Sequence, residues 1–191
     1  DGLSVEPQRV SVGIVGDRIA HVGPTPSGHA AHETLQAPGL ILCPGFIDSH
    51  ASTGMGYLLP HAADHKLRQG VTCEVVGNCG RSEVPVGAHR FAEAAEDAAA
   101  MGVDLSWRET GEWFNQLDAC GLPIHAATHL GHNTLRASAG AWDATPSPAQ
   151  LAAMQAWLAD GMRAGALGMS TGLIYACLLY TSDAADEVLG V

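Results

Sequence analysis

Pro44-Gly45-Phe46-Ile47-Asp48-Ser49-His50 and, further on, Gly70-Val71-Thr72-Cys73-Glu74-Val75-Val76-Gly77-Asn78-Cys79-Gly80 are the stretches that decide the fold. The first is a short apolar run that closes on Asp-x-His. The second is β-branched and apolar, as a parallel strand buried on both faces should be. His50 closes the first run and Cys79 stands near the end of the second, and both are residue types that bind metals. Such ligands at the C-terminal ends of successive strands are what a (β/α)₈ barrel presents at its active face, and a histidine beside a cysteine predicts zinc.

Outward from this pair, strand and helix alternate. Strands are expected over 46–50, 71–79, 124–130 and 166–170, and helices over 62–68, 91–101, 110–119 and 148–164. That makes four βα starts, about half a barrel. The fold class is therefore α/β, a partial TIM-type (β/α)₈ barrel preceded by part of a small β-domain. The chain has 191 residues, whereas a complete barrel takes roughly 250. Ser147 with Pro148 behind it reads as a helix start, and Gly165 as its stop. Leu151, Met154, Leu158 and Met162 recur at helical spacing and read as core packing. Upstream, Val10, Val12 and Ile14 alternate before Gly16-Asp17-Arg18, which predicts a hairpin over 10–22. A further strand is expected over 33–42.

Acidic residues number 20 against 9 basic ones, a net charge of −11 with neutral histidines. No lysine/arginine cluster occurs, which argues against nucleic acid or an anionic membrane as partner. No apolar run reaches membrane-spanning length and no signal peptide is evident, so no membrane association is expected. The opening Asp-Gly reads as a truncated start. Five widely spaced cysteines, an odd number, speak against a disulfide framework and for a reducing, cytoplasmic setting. Oligomeric state leaves no signature.

Taken together and in order, Pro-Gly-Phe-Ile-Asp-x-His, Arg68-Gln69-Gly70-Val71-Thr72, Glu74-Val75-Val76-Gly77-Asn78-Cys79-Gly80 and Gly131-His132-Asn133-Thr134-Leu135-Arg136 resemble the N-acyl-D-amino-acid deacylases (D-aminoacylases) of the amidohydrolase superfamily. Gly165-Ala166-Leu167-Gly168-Met169-Ser170-Thr171-Gly172-Leu173-Ile174-Tyr175 extends the likeness to about Tyr175. The resemblance implies residues 1–43 as the N-terminal strands of a small β-sandwich and 44–176 as the first half of the barrel. It implies a Zn²⁺ cofactor and a small-molecule substrate, an N-acyl-D-amino acid cleaved to a carboxylate and a D-amino acid. The tail from Cys177 leaves the pattern, and 177–191 reads as non-native, adapter-like sequence. A divergent loop is the other reading.

Amide hydrolysis needs a strong nucleophile and a stabilised oxyanion, and zinc supplies both by lowering the pKa of bound water toward about 7 and polarising the carbonyl. Cys79 is the expected thiolate ligand, the alternative being a buried inert cysteine. In the resembled family the equivalent cysteine shares the metal with two histidines of later strands. His50 matches the first member of that family's His-x-His pair and is the second expected ligand, or else a hydrogen-bonded structural histidine. Ser52 stands where the second histidine would be, so at most one metal is expected. Asp48 is read as orienting the backbone or a neighbouring ligand.

His132, Ser170 and Tyr175 are the expected substrate-binding residues. For His132, packing of its loop with Asn133 and Arg136 is an equal alternative, and Tyr175 is the candidate for the substrate's α-carboxylate. His129 near a strand end is set aside with the other histidines. Lys66 and Arg68 are read as solvating the first helix. The proton-shuttling aspartate of the family matches no residue of this chain, so the 191 residues alone are expected to be inactive. Two further readings stay open: a cyclic amidase of the hydantoinase or dihydroorotase type, and a non-catalytic truncated fragment.

Overall fold

The structure, a computed structural model, describes residues 6–25, 27–28, 30–142 and 145–172. The chain divides into two compact units, Asp1–Pro44 and Gly45–Val191. In the first, β1 (Ser11–Val15) and β2 (Arg18–Gly23) pair antiparallel across the Gly16-Asp17 turn, as the alternation of Val12 and Ile14 predicts. The strand expected over 33–42 does not form. Leu35, Leu40, Ile41 and Leu42 are exposed, and no strand among the described residues pairs with the segment. Extended backbone without a neighbour leaves its N–H and C=O groups without a ladder.

The second unit runs β3 (Phe46–Asp48), a 3₁₀ turn (Gly54–Leu58), α1 (Asp64–Leu67), β4 (Val71–Val76), α2 (Phe91–Ala100), α3 (Thr110–Cys120), β5 (His125–Thr128), β6 (Leu130–Gly131), α4 (His132–Ser138), α5 (Pro148–Ala164) and β7 (Met169–Ser170). Strands β3, β4 and β5 pair in parallel in that order, and β6 pairs in parallel with β7. The strand expected over 124–130 is split at His129, whose N–H donates sideways to Val76 O at 2.9 Å. Hydrogen bonds nevertheless carry across the split, because Leu167 N donates to Thr128 O and Leu130 N to Gly168 O, each at 2.9 Å. The unit is thus α/β with parallel strands, whose same-direction pairing requires the intervening helical crossovers.

Trp107 and Trp113, with ring centroids 4.8 Å apart, centre the core together with Val76, Val84, Leu117, Leu130 and Ala166. A second cluster joins Leu135 and Ala139 near α4 to Met154 of α5. The α5 stripe buries only its middle: Met154 is buried and Leu158 packs on the core, but Leu151 and Met162 are 45% and 44% exposed. At its ends α5 follows local chemistry. Ser147 Oγ accepts from Gln150 N, Gln150 Oε1 accepts from Ser147 N, and Gly165 closes the helix in the left-handed region. Helix α4 leaves no periodic signal in the sequence, since seven residues with Leu135 as their one large apolar side chain give too short a window. No helix among the described residues is long and apolar enough to cross a membrane.

Candidate metal centre

Strand β4 stops at Val76, and the chain turns through Gly77, Asn78, Cys79 and Gly80, with φ of 75° at Gly77, 54° at Cys79 and 79° at Gly80. A cysteine in this left-handed region costs about 1–2 kcal/mol, so its surroundings must hold it there. Only glycine fits at position 77, where a Cβ would lie 2.1 Å from the His129 carbonyl oxygen. The Asn78 amide donates back to Val75 O at 2.8 Å and to Ala51 O at 3.2 Å. Gly80 O accepts from Asn133 N at 2.9 Å and Thr134 N at 3.2 Å. The turn is thereby tied both to the segment after β3 and to the start of α4.

His50 lies just past β3. Its backbone N–H donates to Asp48 Oδ1 at 3.2 Å, so Asp48 shapes the backbone that presents the imidazole. Because β3 and β4 are adjacent with Asp48 opposite Glu74, the segments following them converge. Cys79 Sγ comes to 3.3 Å from His50 Nε2. Ser52 is exposed.

A thiol and an imidazole in contact form a soft, zinc-favouring donor pair. Two ligands sharing one tetrahedral zinc, with bonds of about 2.3 Å to sulfur and 2.0 Å to nitrogen, stand about 3.5 Å apart. The pair therefore fits two corners of such a site. No group of three or more His, Cys, Asp or Glu side chains able to hold a metal occurs among the described residues.

Asp48 links His50 to a charged cluster that the sequence does not reveal. Glu74, in the middle of β4, is fully buried. Its Oε2 accepts from Tyr57 OH at 2.6 Å and Thr53 Oγ1 at 2.7 Å, and its Oε1 pairs with Lys66 Nζ at 2.9 Å. Lys66 also donates to Asp48 Oδ2 at 2.5 Å. The expectation that Lys66 merely solvates α1 is corrected: the helix aims its stem inward because a buried carboxylate requires a cation. Burial pushes the Glu74 carboxyl up, yet the hydrogen bonds from Lys66, Tyr57 and Thr53 outweigh it and hold the group below the usual carboxylate range. The hydrogen bond to Asp48, then that to Glu74, raises Lys66 above the ordinary lysine range. Burial and the acceptor Glu74 push the Tyr57 phenol far up. The available signal is Glu74 itself, the one charge in an otherwise uncharged strand.

His132 opens α4, half-buried, and burial followed by the nearby Arg136 cation pushes its imidazole below the usual histidine range, so it is neutral at pH 7. Ser170 ends β7, and its hydroxyl is engaged by Gly77 O and Gly80 N. Tyr175 lies outside the described residues. His129, set aside in the sequence, has its Nδ1 enclosed with no hydrogen-bond partner among the described residues. Cys43, Cys73, Cys79 and Cys120 are free thiols.

No protein-family model matches the chain. An N-acyl-D-glutamate deacylase of Alcaligenes xylosoxydans xylosoxydans is 38% identical over 176 residues, which are 92% of this chain and 36% of that protein. The crystal structure of a D-aminoacylase described as defining a novel subset of amidohydrolases superposes with a TM-score of 0.75 at 35% identity, covering 88% of this chain and 35% of that one. An N-acyl-D-glutamate deacylase from Bordetella bronchiseptica, solved with zinc and a phosphonate mimic of the tetrahedral intermediate, gives a TM-score of 0.71 at 34% identity over 92% of this chain and 36% of that one. The chain thus spans little more than a third of the length of these relatives.

Proposed function

We propose, on the premise that the chain belongs to the D-aminoacylase family of amidohydrolases, that the protein of which it forms part hydrolyses N-acyl-D-amino acids to a carboxylate and a D-amino acid in a zinc-dependent reaction. The observation that carries this reading is the 3.3 Å approach of Cys79 Sγ to His50 Nε2 at the ends of adjacent parallel strands. In this reading β3 to β7 are strands of the first part of a (β/α)₈ barrel and residues 1–43 belong to a small β-sandwich; the stretch 177–191, read as adapter-like sequence, lies outside the described residues.

Cys79 and His50 hold the metal, and Ser52 leaves a single-metal site. When bound, zinc supplies a nucleophile at neutral pH and polarises the scissile carbonyl. His132, uncharged at pH 7, accepts a hydrogen bond from the substrate or donates one to it. Tyr175 takes the substrate's α-carboxylate. Asp48, held by Lys66, orients His50 through its backbone. The protein acts as a cytoplasmic enzyme with a small-molecule substrate.

The test is release of free D-glutamate from N-acetyl-D-glutamate by the intact protein, with and without a zinc chelator. Activity lost on chelation, restored by zinc and lowered by Cys79→Ser, which replaces a soft thiolate by a weak hydroxyl ligand, is the expected result. Chelator-resistant activity, or hydrolysis of a hydantoin ring in place of the linear amide, would overturn the reading.

A further inference from the structure

Ser170 makes two hydrogen bonds with one hydroxyl, and both go to the turn that carries Cys79. Its Oγ donates to Gly77 O at 2.5 Å and accepts from Gly80 N at 3.0 Å. The partners lie 93 and 90 positions earlier in the chain. Gly77 and Gly80 are both buried, so neither group has bulk water as a substitute partner. The hydroxyl therefore closes a bracket around Asn78 and Cys79, the two residues between those glycines.

That bracket meets a specific need. Cys79 is a non-glycine residue at φ 54°, a conformation that persists only where neighbouring structure over-determines it. Asn78 ties the turn to the β3 side and Gly80 O ties it to α4. Ser170 adds a third tie, from β7. A serine hydroxyl has one proton, and here it is given to a backbone carbonyl, which leaves none for a substrate carboxylate.

We propose that Ser170 is a positioning residue, which holds the Cys79 thiol in its ligating orientation through the backbone of the Gly77–Gly80 turn and does not bind substrate. This rests on the reading of Cys79 as a zinc ligand. Groups that orient a ligand are worth roughly ten- to a hundred-fold in metal affinity.

The test measures zinc affinity of the intact, substrate-free protein by chelator competition, for wild type, Ser170→Ala, Ser170→Thr and Ser170→Val. Threonine and valine share a shape and differ by the hydroxyl, so that pair decides the matter should the alanine variant fold poorly. Two further readouts are independent of activity: the thiolate charge-transfer band of the cobalt-loaded protein, and deuterium exchange of the Gly80 amide without metal. Loss of the hydroxyl is expected to weaken zinc binding by about ten- to a hundred-fold, with a weaker cobalt band, faster Gly80 exchange and recovery in Ser170→Thr. A substrate-binding role would move none of these in the absence of substrate. Wild-type zinc affinity and cobalt spectrum in the alanine and valine variants would overturn the proposal. Should wild type bind no zinc, or Cys79→Ser bind it as tightly, the metal reading itself fails and the positioning role with it; those arms separate the two failures.

Discussion

Replacing Lys66 by methionine keeps most of the aliphatic stem and removes the cation that neutralises a fully buried carboxylate. Glu74 has no exposed surface, while the Lys66 side chain is 23% exposed. Removing one partner of a buried pair costs about 3–5 kcal/mol, and the partial exposure of Lys66 places this case near 3. The cost also has a ceiling, because Glu74 can take up a proton. From an unfolded value near 4.3 that costs about 1.4 kcal/mol per pH unit, or about 4 kcal/mol at pH 7.

The ceiling makes the sign of the pH dependence diagnostic. In wild type the Glu74 carboxyl is held low, so its stabilising contribution is present above about pH 4.3 and is lost only as pH falls through its still lower folded value. In Lys66→Met the folded value is raised, the native state binds the proton first, and stability rises on acidification. Between pH 7 and pH 5 the variant should recover up to about 2.5 kcal/mol of its deficit. Urea unfolding at the two pH values, followed by the fluorescence of buried Trp107 and Trp113 among the tryptophans, measures this. Lys66→Met/Glu74→Gln, which keeps an acceptor for Tyr57 and Thr53, should regain at least about half of the loss at pH 7. An equal deficit at both pH values, or a double variant no more stable than the single one, would refute the reasoning.

The other predictions concern separate parts of the second unit. Glu83 is pushed up by burial despite Arg90 and the Met55 N–H. Its protonated form therefore stabilises the fold below the unfolded value near 4.3, an effect lost as pH rises through the higher folded value; Glu83→Gln should raise the urea midpoint at pH 8 and leave it unchanged at pH 4. Gly77→Ala combines a positive φ with a Cβ 2.1 Å from a backbone oxygen. It should cost about 2 kcal/mol or more and abolish tight zinc binding, read by denaturation and chelator competition. The isolated 191-residue chain should release no D-amino acid from N-acetyl-D-glutamate at saturating zinc, because its described residues bring only Cys79 and His50 together as ligands; turnover sensitive to Cys79→Ser would contradict this.

Elements whose cause is local were legible in the sequence. Helix α5 is announced by Ser147, Pro148 and Gly165, and the structure begins and ends it there. The β1–β2 hairpin follows from its alternation and its Gly16-Asp17 turn. The pairing of Cys79 with His50 is legible in the sequence because a parallel sheet aligns the ends of its strands, so two residues just past neighbouring strands share one face. The segment over 33–42 misled for the converse reason: its apolar content is local, whereas a strand exists only if another pairs with it.

Glu74, Lys66 and Ser170 escaped because their roles depend on partners from distant stretches. Lys66 looks solvated on a four-residue helix, and only the placement of α1 against β4 turns it toward Glu74. Ser170 resembles a pocket residue for a similar reason, since the end of β7 is where such residues stand, whereas its hydroxyl turns to the Gly77–Gly80 backbone, 93 and 90 positions away in the chain. All three support the two segments that present His50 and Cys79. Side chains that hold a ligand in place therefore need no spacing relative to it. Their trace in a sequence is a misfit, such as a charge inside an uncharged strand, which reports that a partner exists without naming it.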